Sequence, residues 1–160
     1  MTAPDKECIE ELKAYIHDLN AMYRSCPALY AMDGNSDGFE WIQFTNYDEN
    51  IVAFLRKTEK MEETLLIVCN FSPVSYDSYQ VGVPFAGKYK EIFNSDNGKY
   101  GGLGVVNTRA KNAVHAECDN RENSLKMKLP AYGVTVFSCT PEKKVSSVKR
   151  VGKKVKISRK

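Results

Sequence analysis

Between residues 39 and 138 the chain breaks into short apolar or alternating stretches, most of them closed by Gly, Pro, Asn, Asp or Ser, and none keeps a helical period. Side chains of an extended chain alternate between two faces, so such stretches read as strands. The expected strands are 39–45, 51–57, 65–71, 79–83, 89–93, 113–118, 124–129 and 134–138. The run Leu65-Leu66-Ile67-Val68-Cys69-Asn70-Phe71 is apolar in both registers, which fits a strand covered on both faces. Leu125, Met127 and Leu129 alternate with Ser124, Lys126 and Lys128, the pattern of a half-exposed strand. Many short strands in series predict an antiparallel β-sandwich or barrel.

One segment departs from this pattern. In residues 2–26, Ile9, Leu12, Ile16, Leu19 and Tyr23 recur at spacings of three and four, which makes one apolar stripe on a helix. Thr2 or Asp5 suits its cap and Pro4 its first turn, and Cys26-Pro27 ends it. A lone helix of this length is marginal in water, so the stripe needs a partner, on the β region or on something missing from the chain. His17 lies one position off the stripe and reads as a solvated or capping group, with no nucleophile or metal partner near it in sequence. Residues 27–38 have the composition of a linker, and Asp33 to Gly38 signal turns. Asp33, Asn35 and Asp37 alternate as calcium-loop ligands do. The glutamate that closes such a loop is missing at the right distance, so no metal site is expected.

Charge is divided along the chain. Residues 141–160 hold nine Lys or Arg and one Glu, whereas the whole chain nets only +3, so the preceding residues are acidic in sum. The tail reads as flexible and solvated, with tethering to an anionic polymer as the competing role. The acidic body gives no reason to expect a nucleic-acid footprint. Ser146 to Lys149 match Ser-x-x-Lys in form, without a pocket context. At 160 residues and 42% hydrophobic, the chain suits one domain with a real core plus appendages. No apolar run approaches the roughly 20 residues of a membrane span, and no signal peptide opens the sequence, which predicts a cytoplasmic chain without membrane contact. Cys8, Cys26, Cys69, Cys118 and Cys139 are scattered and odd in number, which predicts reduced thiols rather than disulfides or a zinc site.

Two stretches carry candidate chemistry. Asp37-Gly38-Phe39-Glu40-Trp41-Ile42 opens the β region and holds the chain's one tryptophan. Gly38 suits a corner, and alternation sends Phe39, Trp41 and Gln43 to one face and Glu40, Ile42 and Phe44 to the other. A flat ring beside a carboxylate is what a sugar needs: apolar surface for its C–H side and an acceptor for its hydroxyls. The competing reading is a core tryptophan with its N–H satisfied. The second stretch, residues 94–104, has four glycines around Tyr100. It lacks the Lys-Ser/Thr ending of a phosphate loop, and serves as either a structural turn or a binding loop. No Gly-x-Ser-x-Gly, His-Glu-x-x-His or dinucleotide fingerprint occurs, and sequence cannot pair two carboxylates across a glycosidic bond.

Several motifs recur in order. They are Asp18-Leu19-Asn20 with Tyr23-Arg24 and Pro27-Ala28-Leu29, then Asp37 to Ile42, Val68-Cys69-Asn70-Phe71-Ser72-Pro73-Val74, Gly82-Val83-Pro84 with Gly87 to Asp96, Tyr100-Gly101-Gly102, and Leu129-Pro130. From about residue 5 to residue 140 this set resembles the C-terminal portion of bacterial 1,4-α-glucan (glycogen) branching enzymes of the α-amylase superfamily. The resemblance implies an all-β antiparallel sandwich of the α-amylase C-terminal type, preceded by one α-helix. Residues 1–32 would be a helix and linker like the last helix of a catalytic (β/α)₈ barrel, 33–140 the β domain, and 141–160 a basic flexible tail. The family's catalytic Asp and Glu lie in the barrel, upstream of Met1, so the resemblance implies no catalytic residue and no cofactor here, and no activity for this chain by itself. The parent cuts an α-1,4 glucan, holds a glycosyl-enzyme intermediate and transfers the chain to a 6-hydroxyl. The implied partners are α-glucan (glycogen) and the missing barrel, with Trp41 as a stacking platform and Glu40 and Tyr100 as further carbohydrate-binding candidates. The sequence departs from the family at Leu103 to Arg109 and at Ala131-Tyr132-Gly133. Two other functions stay open on the residues: a stand-alone carbohydrate-binding module, and a polyanion binder working through the tail.

Overall fold

A strand apolar on both sides is stable only inside a layered structure, and Leu65–Asn70 occupies that place in the computed structural model, which describes residues 6–44 and 48–142. In chain order the strands are β1 (Phe39–Gln43), β2 (Ile51–Arg56), β3 (Leu65–Asn70), β4 (Tyr76–Val83), β5 (Gly87–Asn94), β6 (Lys111–Asn112), β7 (Asn123–Leu129) and β8 (Gly133–Pro141). Six form one sheet in the order β1-β2-β3-β8-β5-β6, and β4 pairs with β7 in a second. Every pairing is antiparallel. The expected sandwich preceded by one helix is therefore the observed architecture.

Between the sheets lies the main core. Leu55, Leu66, Val68, Tyr89 and Phe137 face Val81, Leu125 and Met127 across the layers, all essentially inaccessible to water. Tyr89 places its hydroxyl on the Phe85 carbonyl at 2.8 Å, so its polar end is satisfied. The opposite, outer face of the large sheet carries Leu65, Ile67, Phe93 and Val136. Helix α1 (Lys6–Ser25) and the 3-10 turn Pro27–Leu29 cover these residues, with Tyr15, Leu19 and Met22 turned toward them.

The contact face of the helix differs from the expected stripe. Of Ile9, Leu12, Ile16, Leu19 and Tyr23, only Leu19 joins the cluster on the sheet. Ile9, Leu12 and Ile16 remain 39%, 61% and 46% exposed. At 100° per residue, the Tyr15/Leu19/Met22 face and the Ile9/Leu12/Ile16 stripe point about 90° apart. The helix therefore has two apolar faces, and the sheet takes one of them.

Two local expectations are corrected. Residues 113–118 are not a strand: β6 ends at Asn112, and beyond it only Val114 bridges to Ser124 and Cys118 to Arg121. Cys118 and Arg121 exchange both backbone hydrogen bonds around Asp119 and Asn120, whose φ values of 51° and 57° make the tight turn of a hairpin. Alternation also fails in β1. The register shifts between Trp41 and Gln43, so Trp41 pairs with Phe54 on the outer face while Gln43 pairs with Ala53 on the inner one. The Tyr79 hydroxyl donates to Gln43 Oε1 at 2.7 Å on that inner side, and Phe44 comes out beside Trp41. A bulge of this kind adds one residue to a strand and reverses every face after it. The linker turns at Asp33 to Gly38 as expected. Asp33 is held by Arg56, and Asn35 accepts from the Asp37 N–H at 2.9 Å, so these residues brace a turn. The expected helix start at Thr2, Pro4 and Asp5, the end of the first expected strand at Thr45 with the two residues after it, and the basic tail from residue 143 lie outside the described residues.

Candidate functional site

Edge strand β1 positions Trp41. Its outer face shares one register row, Trp41–Phe54–Ile67–Val136–Phe93, across β1, β2, β3, β8 and β5. The indole stands edge-on to Phe39 at 4.8 Å between centroids and to Phe54 at 5.7 Å, and Phe44 lies 5.8 Å away. Phe39 and Phe54 support the ring from beneath, yet Trp41 is 47% exposed and Phe44 56%. This is a supported but open ring, which can offer a face to an apolar surface or to the C–H side of a sugar.

Glu40 points the other way. It pairs with Leu55 on the inner side of β1, and its carboxylate is shared by Lys57 at 2.6 Å and Arg121. Partial burial pushes its acidity down, but the hydrogen bonds and charges of Lys57 and Arg121 outweigh this and leave the carboxyl below its usual range. Glu40 is thus an ion-pair hub tying β1 to the hairpin turn at Arg121, on the face opposite Trp41.

Tyr100 lies at the far end of the outer face. Its ring packs edge-on against Tyr15 at 5.2 Å and near Phe93 at 5.9 Å, and its hydroxyl donates to Asp18 at 2.8 Å. Trp41 and Phe93 end one row spanning four strand spacings, about 19 Å. Lys99 also binds Asp18, and its ammonium stands 4.8 Å from the Tyr100 ring centre. With Lys99, then His17 and Tyr100, donating to it, the Asp18 carboxyl is held far below the ordinary carboxylate range. Tyr100 lines a cleft between α1 and β5 with Ser25, Ile92 and Lys99. The structure therefore places Trp41 and Tyr100 at opposite ends of one face, and Glu40 with neither.

Sequence reasoning passed over Phe44, Phe71 and Tyr132, three further open rings. Phe44 was hidden by the bulge. The Ala131-Tyr132-Gly133 departure was the one signal that marked Tyr132.

Comparison with known proteins gives a consistent picture. The family described as "Alpha amylase, C-terminal all-beta domain" matches residues 41–140. The 1,4-alpha-glucan branching enzyme of Oceanobacillus iheyensis is 40% identical over 129 residues, covering 81% of this chain and 20% of the relative. Its counterpart in Synechococcus elongatus is 44% identical over 119 residues, 74% of this chain and 15% of the relative. In Bacillus cereus the match is 35% over 151 residues, 92% and 23%. The chain spans about a fifth of the length of the curated relatives it matches. Among solved structures, an alpha-amylase from H. orenii aligns over 79% of this chain and 20% of that one at 19% identity, with a TM-score of 0.45, too low to bear on the fold.

Proposed function

The chain belongs to the α-amylase C-terminal all-β domain family, and from that membership we propose that it serves as the C-terminal β-domain of a 1,4-α-glucan branching enzyme in glycogen synthesis. In this reading, residues 33–140 form the domain, residues 1–32 join it to a catalytic barrel, and residues 141–160 are an appended basic tail. The parent moves α-1,4 glucan chains to 6-hydroxyls in the cytoplasm. This piece holds the barrel and touches glucan away from the chemistry.

The observation that carries the proposal is the uncovered stripe on α1. Ile9, Leu12 and Ile16 form a second apolar face that stays largely open to solvent and outside the cluster on the sheet, next to the face seated there. A helix apolar on two faces belongs between two bodies. One body is the sandwich, and the other, in this reading, is the remainder of a longer parent, which the several-fold greater length of the relatives supports.

Glucan contact rests on Trp41. Its ring is open, propped by Phe39 and Phe54, and set on a strand rather than a loop. Glu40 reaches a ligand only by giving up an ion pair, and Tyr100 only through the cleft beside α1. In an affinity gel containing glycogen, the wild-type chain is retarded. Trp41→Ala loses that retardation, and loses about 1–2 kcal/mol of stability from its ring contacts while keeping the strand signature in circular dichroism. Unchanged retardation removes Trp41 from the site.

A further inference from the structure

Beyond Trp41, the open part of the outer face ends in two loops, residues 71–75 after β3 and 130–132 before β8. Asn70 ties them together. Its side chain is buried and fills all four of its hydrogen-bonding positions. Nδ2 donates to the carbonyls of Val74 and Pro130, both at 2.8 Å, and Oδ1 accepts from the Ser72 N–H at 2.9 Å and hydroxyl at 2.8 Å. The Ala131 N–H donates to Ser75 Oγ at 3.0 Å, and the Tyr132 N–H to the Ser72 carbonyl at 3.0 Å. The two loops are one hydrogen-bonded body.

That body presents two rings to water. Phe71 is 63% exposed and Tyr132 72%. Tyr132 has φ of 48°, a left-handed conformation that a bulky side chain seldom takes. Such strain persists only where the surroundings over-determine it, and it concentrates at ligand sites. Burial does not explain it here, because the ring gains little contact with its own protein. Asn50 stands alongside, accepting from the Phe71 N–H at 2.9 Å, with its own side chain open to solvent.

Phe71 continues the outer-face alternation of Ile67 and Cys69, so it stands about 13 Å along the face from the row that ends at Trp41. Between them runs the row Val52–Cys69–Val134, uncharged and half-buried. Between these ends the face is an uncharged floor, edged by Trp41 and Phe44 on one side and Phe71 and Tyr132 on the other.

We propose that Phe71 and Tyr132 form a second stacking platform for α-glucan, so that one neutral polysaccharide chain is held at both ends of the outer face. The inference rests on the glucan reading of Trp41 and extends it. A floor without charge suits a neutral polymer and offers nothing to an anion. Rings already fixed by a stitched loop lose little freedom when they bind.

The test compares wild type, Trp41→Ala, Tyr132→Gly and the double variant in affinity gels with glycogen. Tyr132→Gly puts at a left-handed position the residue that tolerates it, so the variant melts no lower than wild type while losing the ring. Tyr132→Asn, which also accepts that conformation, is the second variant should the glycine loosen the loop. The expected result is retention weakened several-fold in Trp41→Ala, in Tyr132→Gly and in Tyr132→Asn, and weakened further in the double variant. Wild-type retention in both Tyr132 variants, with Trp41→Ala weakened, overturns the second platform and leaves the Trp41 reading standing. No retention of the wild-type chain overturns both.

Discussion

At the scale of single residues, the structure depends on a few buried polar groups that are completely satisfied. Asn70 is the clearest. Truncation to alanine strands the Pro130 and Val74 carbonyls and the Ser72 N–H, while opening a small void. Asn70→Ala is expected to lower stability by about 3 kcal/mol, read from the urea midpoint at unchanged m-value. The cysteines make a second prediction. Burial pushes the Cys139 thiol up to about 12, and burial together with the neighbouring Asp119 carboxylate pushes Cys118 up to about 11. Thiolates react and thiols do not, so at pH 8 iodoacetamide should reach exposed Cys8 first and Cys139 only on unfolding. Peptide mass spectrometry of a timed reaction checks the order, and early Cys139 alkylation contradicts it.

At the scale of elements, helix α1 is the part whose stability is conditional. Its contact with the β domain runs through Tyr15, Leu19 and Met22, and through Asp18 to Lys99 and Tyr100. Amides in its first two turns should exchange faster than those after Tyr15, because only the later ones lie under packed side chains. Asp18 adds a pH dependence. Its acidity is strengthened in the folded state, chiefly by Lys99, so its contribution is complete above the usual aspartate range and is lost as pH falls below that range. Lys99→Met should speed helix exchange at neutral pH and leave it unchanged in strong acid. Added salt should shrink the difference, because Lys99 is largely exposed. Equal exchange in both chains at neutral pH rules out a role for the Asp18–Lys99 pair in holding the helix.

These elements also show what a sequence can carry. The helix, β2, β3, β5, β7 and β8 were legible because each keeps a period over five or more residues, and β3 was legible as doubly covered because it is apolar in both registers. The bulge after Trp41 was not. A bulge is set by how two strands pair, and nothing in Trp41-Ile42-Gln43 announces it, so Gln43 and Phe44 were assigned to the wrong faces. Residues 113–118 looked like a strand because Val114, Ala116 and Cys118 alternate with His115 and Glu117, yet Asp119-Asn120 turns the chain back tightly after them. The stripe of α1 was read correctly as apolar, but its partner was not legible. The sheet is covered instead by Tyr15, Leu19 and Met22, with the Tyr15 ring edge-on to Phe93. Trp41 was legible as a candidate ring, whereas its separation from Glu40 and Tyr100 depends on strand order and had no sequence signal.

At the scale of the whole molecule, the described residues form a folded sandwich that carries a helix with one face too many. Among them, no group of three or more His, Cys, Asp or Glu residues is placed to hold a metal ion. The relatives that the chain matches are several times its length, and the part it matches is a C-terminal all-β domain. In the proposed function, the chain is one part of a larger branching enzyme, seated against the rest through α1 and touching glucan through rings on the outer sheet face. The most direct test is immunoprecipitation from an extract of the source organism with antibody against residues 33–140, followed by sizing of the captured species and an assay for new α-1,6 branches. The account predicts a polypeptide several times larger than 18.0 kDa that carries the branching activity. A captured species of 18.0 kDa without that activity would contradict it and make the chain an independent protein.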